Sequence, residues 1–174
     1  WIGLINNRVL INAIFLGIIV GFAEEVVFRG WLLGEMNYLC GPRRGLFFHS
    51  LIFSLSHARF DSATFSSIGL FIGLFLLGLV LACLRNINNG CLWGCVGLHG
   101  GLVGFWFISS SLVEFSSDMP VWLFGPGGAD LNPIGGALAI FILAIILIFQ
   151  RNALAIAGRP LTGARSASSR GARP

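Results

Sequence analysis

The sequence contains no lysine, and only 10% of its 174 residues are charged. A soluble domain usually carries about 25% charged residues, so the shortage argues against a chain that lives in water. The four cysteines, Cys40, Cys83, Cys91 and Cys95, include no C-x-x-C pair. They lie in or beside apolar runs and read as small buried thiols rather than as a zinc knuckle or a disulfide framework. No H-E-x-x-H and no Gly-x-Ser-x-Gly is present, which removes the usual helical zinc-protease and serine-hydrolase signatures. No basic region precedes the first apolar run, so no signal peptide is readable. No internal repeat is evident. The chain begins at Trp1 rather than Met, which points to a fragment or a trimmed chain with further spans before it.

Hydrophobic residues make up 56% of the chain, and they fall in five blocks, at residues 9–33, 45–57, 65–84, 91–113 and 134–149. The third block has no charge, and the fourth has one ionisable group, His99. A membrane span needs roughly 20 apolar residues, so these two qualify alone, while the second and fifth are short. Backbone groups in lipid must be satisfied within the segment, which makes such runs helices. The expected fold is all-α, a polytopic transmembrane bundle of about five apolar helices.

Breakers separate the blocks: Gly41-Pro42-Arg43-Arg44, Asn88-Asn89-Gly90 and Gly125-Pro126-Gly127-Gly128. After Gln150 the composition turns to Ala, Ser, Gly and Arg. Positions 1–150 therefore read as a membrane core and 151–174 as an Arg-rich tail, expected to be disordered from 158 onward. If all five blocks cross, Arg43, Arg44, Arg85 and the five arginines of the tail share one side, against Arg8 and Arg59 on the other. The positive-inside rule then makes the tail cytoplasmic, in a bacterial cytoplasmic or an organelle membrane. The tail arginines read as orienting charges or anionic-lipid contacts, not as a nucleic-acid surface.

Ionisable groups inside a membrane block are costly and default to functional candidates. The first block carries Glu24-Glu25-Val26-Val27-Phe28-Arg29. Glu25 and Arg29 are one helical turn apart and can pair. Glu24, rotated by about 100°, cannot share that arginine equally, which leaves a carboxylate free to act as a base. His57 ends the second block and His99 lies inside the fourth. At ~1.5 Å rise per residue, Glu24, His57 and His99 lie ~20, ~18 and ~12 Å from the Arg-rich ends of their helices. This common band of depth predicts that the three converge in one polar cavity, although each histidine alone could be a helix-packing hydrogen bonder.

At these residues the chain resembles the CPBP family, the CAAX prenyl endopeptidase and bacteriocin-processing membrane proteins. Glu24-Glu25-x-x-x-Arg29 is similar to that family's E-E-x-x-x-R. Phe53 through His57 is similar to F-x-x-x-H, and His99 through Val103 to H-x-x-x-N, with Val103 standing in place of Asn. The motifs lie in order on successive apolar blocks and span about residues 10–115. The resemblance implies hydrolysis of a peptide bond within the membrane and no covalent enzyme intermediate. Glu24, helped by His57, would activate water, and His99 would hold the oxyanion. Glu25, Arg29, Phe53 and Val103 would support them. The substrate would be a protein or peptide, membrane-anchored or not. Members are often labelled metalloproteases, so Glu24, His57 and His99 could hold zinc with water in an open position; water activation without metal is the equal alternative.

Two other functions fit the same residues. An inactive member of the fold, acting as an immunity or regulatory membrane protein, would explain Val103, because a missing oxyanion donor costs ~3 kcal/mol of transition-state binding. A proton-coupled transporter would also use membrane Glu and His, but the chain lacks two matched halves with broken helices.

Overall fold

The computed structural model describes residues 6–57, 64–112, 120–125 and 132–157. Every regular element among them is helical, as the apolar blocks predict. Helix α1 (Asn7–Glu25) starts where the Asn6 side chain accepts the Arg8 N–H at 3.0 Å, satisfying one of the orphan donors of a first turn. It continues without a break into π-helical turns at Val26–Leu32, where Leu33 N–H bonds the Phe28 carbonyl five residues back, and then into α2 (Leu33–Cys40). The whole run, Asn7–Cys40, has 34 residues. At ~1.5 Å per residue it is about 51 Å long, more than the ~30 Å hydrocarbon layer requires. Phe15, Ile18 and Ile19 on α1 are more than half exposed, the position expected of side chains that face acyl chains.

Gly41, with φ of +80°, stops this run, and Pro42 opens α3 (Pro42–His57). Glycine tolerates that left-handed backbone, and proline suits a first helical turn. The hairpin is tight: a β-carbon on Gly45 would meet the Asn37 backbone nitrogen at 2.6 Å. The long helix α4 (Thr64–Ile87) carries most of the apolar core, with Leu74, Leu77, Val80 and Leu81 buried. It packs on α3 through Gly78 against Ser50, and through the Ser54 hydroxyl, which donates to the Phe71 carbonyl at 2.6 Å. Asn89 and Gly90, both at positive φ, turn the chain into α5 (Trp93–Leu112) where the Asn-Asn-Gly signal predicts a turn. A short helix α6 (Val121–Phe124), a 3-10 turn at Pro133–Gly135 and helix α7 (Ala137–Ala157) complete the described chain. Leu143 of α7 packs into the core formed around α4.

Three helical segments are long and apolar enough to cross a membrane: Asn7–Cys40, Ser67–Ile87 and Trp93–Leu112. Helix α3 is shorter and carries His49, Ser50 and Ser54 in its buried face, and the apolar stretch of α7, Ala137–Gln150, is also shorter. Helix α7 itself runs through Ala157, past the boundary expected at residue 150. The expected disorder from residue 158 falls outside the described residues.

Candidate active site

Glycine brings the first and last motifs together. Helices α1 and α5 meet along Gly17 and Gly21 on one side and Gly100 and Gly104 on the other. A β-carbon on Gly21 would lie 2.7 Å from the Gly100 Cα, and one on Gly104 would lie 2.9 Å from the Ala13 carbonyl oxygen. Small residues four apart let membrane helices approach backbone to backbone, where dispersion contacts replace the missing hydrophobic drive. His99 precedes Gly100, and Glu25 follows Gly21 by one turn, so the close approach sets the imidazole beside that carboxylate. His99 Nδ1 lies 2.7 Å from Glu25 Oε1.

The same Glu25 oxygen accepts from Arg29 Nη1 at 2.7 Å, and both side chains are fully buried. The π-helical turns begin directly after Glu25 and include Arg29. Single π turns in a helix recur at functional sites, where they re-aim side chains. The Arg29 guanidinium carbon stands 4.2 Å from the centre of the Phe53 ring, a cation–π contact that helps hold a buried charge. Phe53 is itself wholly buried. Phe28 meets its ring edge-on at 5.0 Å, and the imidazoles of His57 and His99 lie 4.6 Å and 5.9 Å from it. Phe53 and His57 are four residues apart on α3, which puts them on one face. The aromatic ring is thus a platform under the arginine and both imidazoles.

Glu24 faces a different pair of groups. Its Oε2 lies 3.0 Å from His57 Nε2 and 3.7 Å from His99 Nε2. The sequence suggested an unpaired carboxylate; instead the cross-helix contact from α3 gives it a hydrogen-bonding partner. His57 Nδ1 lies 2.8 Å from the Phe53 carbonyl oxygen. A carbonyl only accepts, so that nitrogen carries the hydrogen. One proton therefore lies between His57 Nε2 and Glu24, on one atom or the other. His99 is oriented by the same logic: its Nδ1–H donates to the Glu25 carboxylate, and its Nε2 faces Glu24. Exposure divides the cluster. The Glu24 and His57 side chains are 28% and 29% exposed, whereas His99 is 7% exposed and Glu25 and Arg29 are sealed.

The structure therefore brings Glu24, His57 and His99 together and sets Glu25, Arg29 and Phe53 beneath them. Val103 lies one turn beyond His99 on α5 and is half-buried. The donor set of two imidazoles and a carboxylate has the chemistry of a zinc site. Three of those donor atoms converge, with His57 Nε2 and His99 Nε2 at 3.0 and 3.7 Å from Glu24 Oε2, although among the described residues no group of three His, Cys, Asp or Glu side chains stands as a ready-made metal site.

Two features escaped the sequence reading. The glycines of α1 and α5 were visible as Gly17-x-x-x-Gly21 and Gly100-x-x-x-Gly104, a spacing that signals close helix contact. His49, wholly buried on α3, matches no motif.

Comparison with known proteins adds one finding. A family model described as type II CAAX prenyl endopeptidase Rce1-like matches residues 6–105, a stretch that contains all three motifs and the whole polar cluster. No curated protein and no solved structure gives a match.

Proposed function

The chain belongs to the Rce1-like family of type II CAAX prenyl endopeptidases, and we propose that it hydrolyses a peptide bond of a protein or peptide substrate within the membrane, with Glu24 as the base. The observation that supports this most is the place of Glu24 Oε2. It faces two imidazole nitrogens at 3.0 and 3.7 Å and remains partly open. A carboxylate so placed can take a proton from water and pass it on, as general acid–base catalysis requires.

In this reading Glu24 removes a proton from a water molecule. The water oxygen bonds to the scissile carbonyl carbon, and the carbonyl electron pair moves onto its oxygen. His99, carrying hydrogens on both nitrogens, donates from Nε2 to that oxyanion, while its Nδ1–H remains on Glu25. Fixed donors aimed at developing charge are usually the largest single contribution in acyl chemistry. The C–N bond then breaks, and the proton held on the Glu24–His57 pair passes to the leaving nitrogen. Glu25 and Arg29 keep His99 in place, and Phe53 supports all three. The steps as written need only these side chains and water.

The test is a cleavage assay on purified protein with a lipid-anchored peptide, with and without a chelator, comparing the wild type with Glu24→Gln. The reading expects cleavage by the wild type with and without chelator, and a rate lower by ~10²–10⁴-fold in the variant. Loss of wild-type activity on chelation would assign the three residues to a metal instead. A second reading, an inactive member with an immunity or regulatory role, is favoured by Val103, which lacks the amide donor of the family motif. A wild type that cleaves none of a panel of anchored peptides, prenylated and not, would support it. We also propose that the tail from Arg151 is cytoplasmic, from the bias in arginine. Protease protection of the tail in inverted and right-side-out vesicles reads this directly, and protection in the inverted ones would reverse the orientation.

A further inference from the structure

Arg29 spends one nitrogen on Glu25. Its Nε and Nη2, the edge that can bind two acceptors side by side, meet no partner among the described residues, although the side chain is fully buried. One turn before Phe53 on α3, His49 is also fully buried, and neither ring nitrogen has a partner there. The Phe28 carbonyl lies near that ring but makes no hydrogen bond of sound geometry with it. The next residue, Ser50, is wholly buried against Gly78 of α4, and its hydroxyl is unpartnered as well. His49 lies within electrostatic reach of both Arg29 and Arg85, and Arg85 Nε is another buried, unpartnered nitrogen. Arg29 belongs to the π-helical turns, His49 and Ser50 to α3, and Arg85 to α4.

A buried donor or acceptor left unmet is destabilising, and six such atoms in one part of the fold are more than a marginally stable chain tolerates. Something satisfies them, and the mix of donors and acceptors identifies its chemistry. The set is mixed: the guanidinium nitrogens only donate, a neutral imidazole has one donor and one acceptor, and a hydroxyl does both. An anion, which only accepts, leaves the imidazole acceptor unmet, whereas water serves every member.

We propose that Arg29, His49 and Ser50 form an internal hydration site, and that His49 acts through its water as a positioning residue for Arg29. Water accepts from Nε and Nη2 of Arg29 and donates to His49. This holds the guanidinium plane on Phe53 and its remaining nitrogen on Glu25, and Glu25 in turn orients His99. Buried water of this kind typically makes about three hydrogen bonds and is costly to remove. The site rests on burial and partner geometry and does not depend on the protein being a peptidase.

Radiolytic labelling of the full chain in lipid nanodiscs, in heavy-oxygen water, tests it without an activity assay. Bound water labels the side chains it touches even where bulk solvent cannot reach. Each rate is read against the same residue in the unfolded chain. The proposal expects His49 and Phe53 to be less protected than the equally buried Val80 and Leu81. His49→Phe, which fills the position with an apolar ring, should abolish the labelling of Phe53. His49→Gln, which keeps a donor and an acceptor, should retain it. Protection of His49 and Phe53 equal to that of Val80 and Leu81 in the wild type overturns the proposal, whether or not a variant folds. So does Phe53 labelling that is unchanged in a folded His49→Phe protein.

Discussion

Glu24 and Glu25 are neighbours of one residue type, yet the fold treats them in opposite ways. Glu25 is sealed, bonded by Arg29 from its own helical run and by His99 from α5. Glu24 is turned toward α3, meets His57 and remains partly open. About 100° of rotation per residue on a helix is enough to separate them. One carboxylate is spent on structure, because a buried charge must be paired and hydrogen-bonded to be tolerated. That leaves its neighbour next to a well-held imidazole, available for chemistry. The double acid thus divides into one sealed anchor and, in the proposed mechanism, one reagent.

Exchanging each carboxylate for its amide is the sharpest way to break this contrast. Glu24→Gln removes the proposed base and keeps the shape. It should lower the cleavage rate by ~10²–10⁴-fold, the usual worth of a general base, with the melting temperature held or raised because a membrane charge is relieved. Full activity in that variant would end the assignment of Glu24. Glu25→Gln should fail in the opposite order, in stability before chemistry. It leaves Arg29 buried without its anion, a loss of ~3–5 kcal/mol, to be read as poor expression and a lower thermal midpoint in detergent. Equal stability of the two variants would erase the distinction.

Two smaller perturbations act on the supports. Gly21→Val sets a β-carbon where the Gly100 backbone now lies. Overpacking of this kind typically costs ~1–3 kcal/mol, and it should move His99 away from Glu25. The variant is expected to lose cleavage more than its thermal midpoint accounts for, and Gly21→Ala should fall between it and the wild type. Phe53→Leu keeps an apolar side chain and removes the ring beneath Arg29. Its cost should be nearer ~1 kcal/mol, the range of a cation–π contact, with the Glu25–Arg29 pair intact. A denaturation series on both variants, scored beside cleavage, checks the order.

How much of this was readable beforehand depends on the distance over which each feature is set. The membrane blocks follow from composition, because hydrocarbon demands long apolar helices. The Glu25–Arg29 pair follows from a spacing of four, because a helix alone brings those residues onto one face. The hairpin at Gly41–Pro42 and the turn at Asn89–Gly90 follow from backbone chemistry that few other residues supply. The depth argument pointed to a meeting of Glu24, His57 and His99, but it could not say which imidazole meets which carboxylate. That depends on how α5 is rotated against α1, and the rotation is set by backbone contact at Gly17, Gly21, Gly100 and Gly104.

The amino-acid sequence by itself determined the all-helical membrane character, the order of the polar motifs and the local pairing of Glu25 with Arg29. All three follow from solvent and from geometry within a single helix. Only the tertiary structure decided that His99 serves Glu25 while His57 serves Glu24, that π-helical turns carry Arg29 over Phe53, and that His49 is sealed beside them. Those outcomes depend on rotations and separations between helices far apart in the chain, which no spacing along one helix encodes.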